Sequence, residues 1–139
     1  MYRYGVDDIF RFHTDGSWPG SGIDPSTGAI VRDIFGDRWS QMTFLLYLDD
    51  DYEGGETTFF VPSNPPTPSQ TGELISVSVP KGSVLCFFHG EHKLSLLHEG
   101  SVVRRGVKRI VRSDVLFSFE GPAADIDVRA DSSCEQDIS

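Results

Sequence analysis

At 139 residues, with 38% hydrophobic and 12% aromatic side chains, the chain is sized and composed for one globular domain with a real hydrophobic core and is not a disordered chain. A net charge of -9 excludes the general basic surface of a nucleic-acid binder, although Arg104, Arg105, Lys108, Arg109 and Arg112 form a local basic patch. Two cysteines exclude a disulfide framework: Cys86 in an apolar run is expected to be a buried thiol, and Cys134 sits in a polar tail. No apolar run reaches membrane-spanning length, no signal-peptide core is present, and the single Asn, Asn64, precedes a proline and so forms no glycosylation sequon. A soluble, reduced, cytoplasmic setting without membrane or nucleic-acid partners is the expectation.

Residues Tyr2 to His13 read as extended chain with a turn over Gly5–Asp8, with Phe10 and Phe12 on one face and Arg11, His13 and Asp15 on the other. Gly16 to Ser40 is rich in Gly, Pro, Ser and Asp and is expected to be a long functional loop, a lid anchored by Trp18, Ile34, Phe35 and Trp39. Met42–Leu48 is a predicted strand, Asp49–Asp51 a solvated turn rather than a calcium site, and Glu56–Val61 a second strand opened by Gly54-Gly55. Pro62–Gly72 holds four of the eight prolines and is predicted as a second irregular loop. Both loops are expected to lack regular hydrogen bonding and to flank the mouth of a site.

Leu74–Val79 alternates as a half-buried strand through Ile75, Val77 and Val79, and Pro80-Lys81-Gly82 is a turn. Val84–Phe88 reads as a strand buried on both faces, and Leu94–His98 and Gly106–Phe119 supply the last strands. Residues 1–120 thus form the predicted domain, and 121–139 an acidic, loosely held tail. No helical periodicity is sustained anywhere, and short strands at this spacing predict an all-β sandwich or barrel.

His13 and Asp15, two residues apart on extended chain, project the same way. One imidazole and one carboxylate are two thirds of the facial triad that holds non-haem Fe(II) while leaving three adjacent coordination positions open. His89, His92 and His98 are the candidates for the third ligand, with His89 and His92 expected to be loop or surface residues.

Further stretches join these residues: Phe44-Leu45-Leu46-Tyr47-Leu48-Asp49, then Tyr52-Glu53-Gly54-Gly55-Glu56-Thr57-Thr58-Phe59, then Lys81 to Phe88. Leu97-His98-Glu99-Gly100, Gly106-Val107-Lys108 and Arg112-Ser113-Asp114-Val115 follow. With Tyr4-Gly5, Phe10, His13 and Asp15, they resemble in order the catalytic domain of the prolyl 4-hydroxylase-like Fe(II)/2-oxoglutarate dioxygenases, over residues 2 to 118. The resemblance implies a double-stranded β-helix (jelly roll) and a metal held by His13, Asp15 and His98 at roughly 2.0–2.2 Å. It implies that Lys108, ten residues beyond His98, pairs with the far carboxylate of 2-oxoglutarate, because a buried carboxylate needs a cation. Tyr47 is implied as a second donor to that carboxylate, and Tyr4 and Thr57 as pocket residues. Arg109, adjacent on the opposite face, competes with Lys108 for the role. Arg112 and Asp114 are expected to form a structural ion pair.

The activity so implied is hydroxylation of a C–H bond in a protein side chain, prolyl foremost, or in a small molecule. Fe(II), 2-oxoglutarate and O2 are the implied cofactors and co-substrates, with ascorbate a further candidate, and succinate and CO2 are released. Asp114 stands where prolyl-hydroxylating members often carry Trp, and members usually have elements ahead of the segment at which Met1 begins. An inactive jelly-roll metal-binding or interaction module is the alternative. A cupin-type enzyme is disfavoured because no H-x-H pair is present.

Overall fold

The computed structural model describes residues 1–63 and 71–118. Among these the protein is all-β, without helices, and no helix is long and apolar enough to cross a membrane. The chain divides into two compact units, Met1–Ser17 with Ser40–Val115, and Trp18–Trp39 with the segment from Leu116. The expected acidic tail and the centre of the proline-rich loop lie outside the described residues.

The first unit is built on two four-stranded sheets. One contains β1 (Tyr2–Tyr4), β12 (Lys108–Ser118), β5 (Arg38–Tyr47) and β9 (Val84–Phe88), in that order. The other contains β2 (Phe10–His13), β10 (Leu97–Gly100), β7 (Thr57–Pro62) and β8 (Gly72–Val77). Neighbours run antiparallel, with Tyr4 opposite Lys108, Phe44 opposite Cys86, His98 opposite His13 and Phe59 opposite Ile75. The sheets meet through their inner side chains, the Phe59 and Phe87 rings packing edge-on at 5.1 Å. Leu45, Tyr47, Val79 and Ile110 form the buried core, with Tyr4, Val77, Leu85 and Phe87 against it. Period-two alternation places Thr43, Leu45 and Tyr47 of β5 on this inner side and leaves Phe44 and Leu46 half-buried.

Several expectations are corrected. Val84–Phe88 is not buried on both faces: β9 is a sheet edge, and Val84 and Cys86 are exposed while Leu85 and Phe87 pack inward. The Cys86 thiol is therefore a surface group. At the other sheet's edge, β8 also leaves Ile75 exposed, and only Val77 of that strand and Val79 beyond it are drawn inward. Tyr52–Gly54, to which the sequence assigned no strand, is one (β6), paired with β11 (Val103–Gly106). The segment from Pro62 to Gly72 begins and ends in ladder pairing, and the Ser63 amide donates to Thr71 O at 2.8 Å.

The second unit also departs from the loop expected there. Gly22–Ile23 (β3) and Ile30–Val31 (β4) form a hairpin, and Pro19 bridges Trp39. The turn is organised by Asp24, whose side chain accepts from the Ser26 amide and hydroxyl. Arg38 lies 4.5 Å from the Phe35 ring centroid and is paired with Asp37. Regular hydrogen bonding thus reaches into a stretch whose Gly and Pro content argued against it, because Asx chemistry suits a hairpin turn as well as a loop.

Gly54 and Gly55 set the approach of β6 and β7 to the site. Gly54 has φ +78°, and a Cβ there would collide with Val102 O, so only glycine lets β6 lie this close to β11. Gly55 N donates to Val102 O at 3.0 Å while Gly55 O faces the Lys108 ammonium. Gly54→Ala is expected to cost at least about 2 kcal/mol from the left-handed backbone and the backbone collision together. Urea unfolding measures it; a loss of only a few tenths of a kcal/mol would show that the β6–β11 pairing yields easily.

Candidate metal centre

β2 and β10 bring His13 and His98 directly opposite each other, with ring centroids 4.4 Å apart. Asp15, two residues beyond His13, is buried beside them. His13 Nε2 lies 3.5 Å from Asp15 Oδ1, and His98 Nε2 lies 3.7 Å from Asp15 Oδ2. One ligand atom from each residue falls within 4.8 Å of the others, the only such His/Asp/His grouping among the described residues. The three residues expected from the sequence converge.

The donor set fits a divalent ion. His13 Nδ1 is 2.7 Å from Arg11 O and His98 Nδ1 is 3.0 Å from Leu96 O, and a carbonyl can only accept. Each ring therefore carries a proton on Nδ1, so that its neutral form presents Nε2 as a lone-pair donor toward Asp15, the arrangement that orients histidine ligands. Burial holds the His98 imidazole below its ordinary pKa and so keeps it neutral and able to ligate. Phe59 and Phe87 flank His98 at 5.8 and 4.6 Å between ring centroids, shielding it from water. Two imidazole nitrogens and a carboxylate, without sulfur, suit Fe(II), Mn, Co, Ni or Zn.

A bulge shapes the wall of this site. Between His98 and Gly100, β10 advances two residues while β2 runs from His13 back to Phe10, three residues. The extra residue cancels the alternation expected of β2 and turns Phe10 to the same side as His13, their rings 4.1 Å apart. Phe10 therefore lines the site, contrary to the face assigned by strict period two.

His13, Asp15 and His98 line a cavity whose wall also includes Tyr4, Thr57 and Lys108. Lys108 is 4% exposed, its Nζ donating to Gly55 O at 2.6 Å and lying 5.2 and 5.8 Å from the Tyr47 and Tyr4 ring centroids. Burial pulls its pKa down to about 8, opposed by the charge of Glu56. Arg109, the competing cation, points outward and pairs with Asp49 at 2.7 Å, so the strand register puts Lys108 inside. Tyr47 is fully buried with its hydroxyl 2.8 Å from Thr57 Oγ1, and Thr57 is the member of this pair on the cavity wall. Burial raises the pKa of the Tyr47 and Tyr4 phenols, which stay protonated as donors.

Arg112 and Asp114 form the expected ion pair at 3.7 Å, and Arg112 makes a closer one, not anticipated, with Asp15 Oδ1 at 3.1 Å. His89, expected in a loop or on the surface, is 1% exposed and hydrogen-bonded through both ring nitrogens. His92 is half-buried and stacks on Phe88 at 3.9 Å. Neither histidine joins the cluster. The sequence signal for His89 was its period-two phase with Leu85 and Phe87, which pack inward. The scan against protein-family models finds no match for the chain, and the search of curated proteins finds none either.

Proposed function

We propose that the protein is an Fe(II)- and 2-oxoglutarate-dependent dioxygenase that hydroxylates a C–H bond, its two sheets being the two halves of a double-stranded β-helix (jelly roll). The observation that carries this is the convergence of His13 Nε2, His98 Nε2 and the Asp15 carboxylate on the wall of a cavity that the buried Lys108 also lines. His13, Asp15 and His98 would hold the metal, which with 2-oxoglutarate and O2 supplies the oxidising power for hydroxylation and releases succinate and CO2. Ascorbate is a candidate auxiliary reductant.

The chain's own residues bind, orient and shield. Lys108 offers a cation to the far carboxylate of 2-oxoglutarate in a place where an unpaired carboxylate would be costly. Tyr47 and Thr57 share one hydroxyl-to-hydroxyl bond, which leaves one proton of the pair for the same carboxylate. Phe59 and Phe87 keep water from His98, and Tyr4 and Phe10 wall the cavity. A protein side chain, prolyl first, or a small molecule is the proposed substrate.

A second reading draws on the Arg112–Asp15 ion pair: a carboxylate already neutralised by a guanidinium could belong to a jelly-roll interaction module that takes no metal. Titration with Mn(II) under anaerobic conditions, followed by an assay of Fe(II)-dependent succinate release from 2-oxoglutarate, separates them. The enzyme reading expects one metal per chain and succinate release that needs both Fe(II) and O2. Metal binding without turnover across peptide and metabolite panels favours the module, and no metal binding at all ends the metal-centre reading.

A further inference from the structure

Beside Asp15 runs a line of buried polar side chains that neither metal ligation nor co-substrate binding uses. Thr43 Oγ1 donates to Asp15 Oδ2 at 2.7 Å. His89 Nδ1 is 2.7 Å from Thr43 Oγ1, and His89 Nε2 is 3.0 Å from Ser40 Oγ. Ser40, Thr43 and His89 are each 1% exposed. Polar groups so deep in a small β core cost stability unless each is satisfied, and apolar side chains at the same places would avoid that cost.

Proton counting fixes the direction of the chain. A carboxylate only accepts, so the single Thr43 proton goes to Asp15. Thr43 Oγ1 must then accept from its other partner, which makes His89 Nδ1 the protonated nitrogen. A neutral imidazole carries one N–H, so Nε2 accepts from the Ser40 hydroxyl. Of the two neutral tautomers, only the one with its proton on Nδ1 satisfies all of these contacts. Asp114 Oδ1, 4.0 Å from Nδ1, is beyond hydrogen-bond reach. On the other side of Asp15, Arg112 holds Oδ1 at 3.1 Å. Both carboxylate oxygens are thus gripped, one by a charge and one by a hydroxyl whose rotation His89 locks.

We infer that His89 is a positioning residue: by fixing the Thr43 hydroxyl as a donor to Asp15 Oδ2, it sets the orientation in which that carboxylate meets a metal ion. The inference rests on the metal-centre reading above. With both ring nitrogens engaged, His89 is not itself a ligand.

Co(II) binding to the full chain, followed by its visible absorption, tests this without turnover. His89→Leu and Thr43→Val are each expected to weaken Co(II) by about 10–100-fold, the usual cost of losing an outer-shell partner. The double variant should bind about as well as the weaker single, because His89 acts through Thr43. His89→Asn, whose amide can stand in for the Nδ1–H donor, should recover most of the loss. Wild-type binding with unchanged binding by His89→Leu overturns the inference alone, as do losses that multiply in the double variant. Absence of Co(II) binding by the wild-type chain removes the metal-centre reading and this inference with it. Should the variants not fold, nitrogen-15 NMR of the wild-type chain decides: an Nδ1–H tautomer at His89 is expected, and an Nε2–H tautomer would make Thr43 donate to His89, leave Asp15 without its donor and overturn the proposal.

Discussion

Replacing Lys108 by alanine is expected to raise the Michaelis constant for 2-oxoglutarate by about one to two orders of magnitude or more. A charge-assisted hydrogen bond is worth about 1.5–3 kcal/mol net, and each 1.4 kcal/mol is roughly tenfold. A carboxylate left without its cation in a buried pocket adds to the loss. Metal affinity should change little, since Lys108 contacts Gly55 O and none of the three ligands. Arg109→Ala is the control, because that side chain lies outside with Asp49. A loss in the Arg109 variant and none in the Lys108 variant would reverse the assignment on β12. If neither matters, the co-substrate assignment fails.

The same lysine makes a pH prediction. Burial lowers its pKa from the ordinary 10.5 to about 8 in the folded chain. Between these values the unfolded chain holds a proton that the folded chain has released, so Lys108 makes stability rise with pH across that window. Binding runs the other way. A dicarboxylate pairs with the ammonium and not with the amine, so affinity for 2-oxoglutarate should fall by about tenfold per pH unit above the folded-state pKa. Lys108→Arg keeps its charge at every accessible pH and should flatten the profile even where its planar head binds less well. A wild-type profile that is flat from pH 7 to 10 would show that Lys108 does not meet the carboxylate.

The chemistry-bearing residues were more legible in the sequence than the surfaces around them. His13 and Asp15 could be paired because two residues on extended chain share a face, and that local geometry survives in the fold. His98 and Lys108 lie far along the chain and were named through the resemblance; the register that sets His98 opposite His13 and Tyr4 opposite Lys108 brings them in. Edge position was not legible. Val84–Phe88 is as apolar as a central strand, yet it lies at the end of a sheet and exposes Val84 and Cys86. Composition reports what a strand could bury, not which neighbours it receives.

Phase and depth were lost for related reasons. The bulge in β2 inserts one residue into the alternation and moves Phe10 to the site, a change no period-two count anticipates. His89 looked like a turn residue because Gly90 follows it, but its backbone amide is bonded to Gln41 O and its ring is sealed between Ser40 and Thr43. Thr43 itself could have been placed inward from its spacing with Leu45 and Tyr47. What the spacing could not show was that a buried histidine and the Asp15 carboxylate would both claim its hydroxyl.

Asp15→Ala is expected to give the largest loss of all, in metal binding and in turnover together. Structural zinc in zinc-finger peptides is bound by about 10–16 kcal/mol over four ligands, or about 2.5–4 kcal/mol each, and on that scale losing one donor costs roughly two to three orders of magnitude in affinity. Asp15 should exceed that figure, because its removal also frees the Arg112 guanidinium that lies 3.1 Å from Oδ1. Two unit charges 4 Å apart interact by about 4 kcal/mol at an effective dielectric of about 20, so a guanidinium left with only its 3.7 Å approach to Asp114 repels an incoming cation. His13→Ala and His98→Ala remove a neutral donor and leave the Asp15–Arg112 pair intact, and each should bind metal more tightly than Asp15→Ala does. The charge argument has its own test in a double variant. Asp15→Ala with Arg112→Ala should bind Mn(II) better than Asp15→Ala alone, since the second change removes the repulsion created by the first. Equal binding by the single and double variants would mean that Asp114 or solvent compensates Arg112 once Asp15 is gone, and that Asp15 contributes as a ligand only.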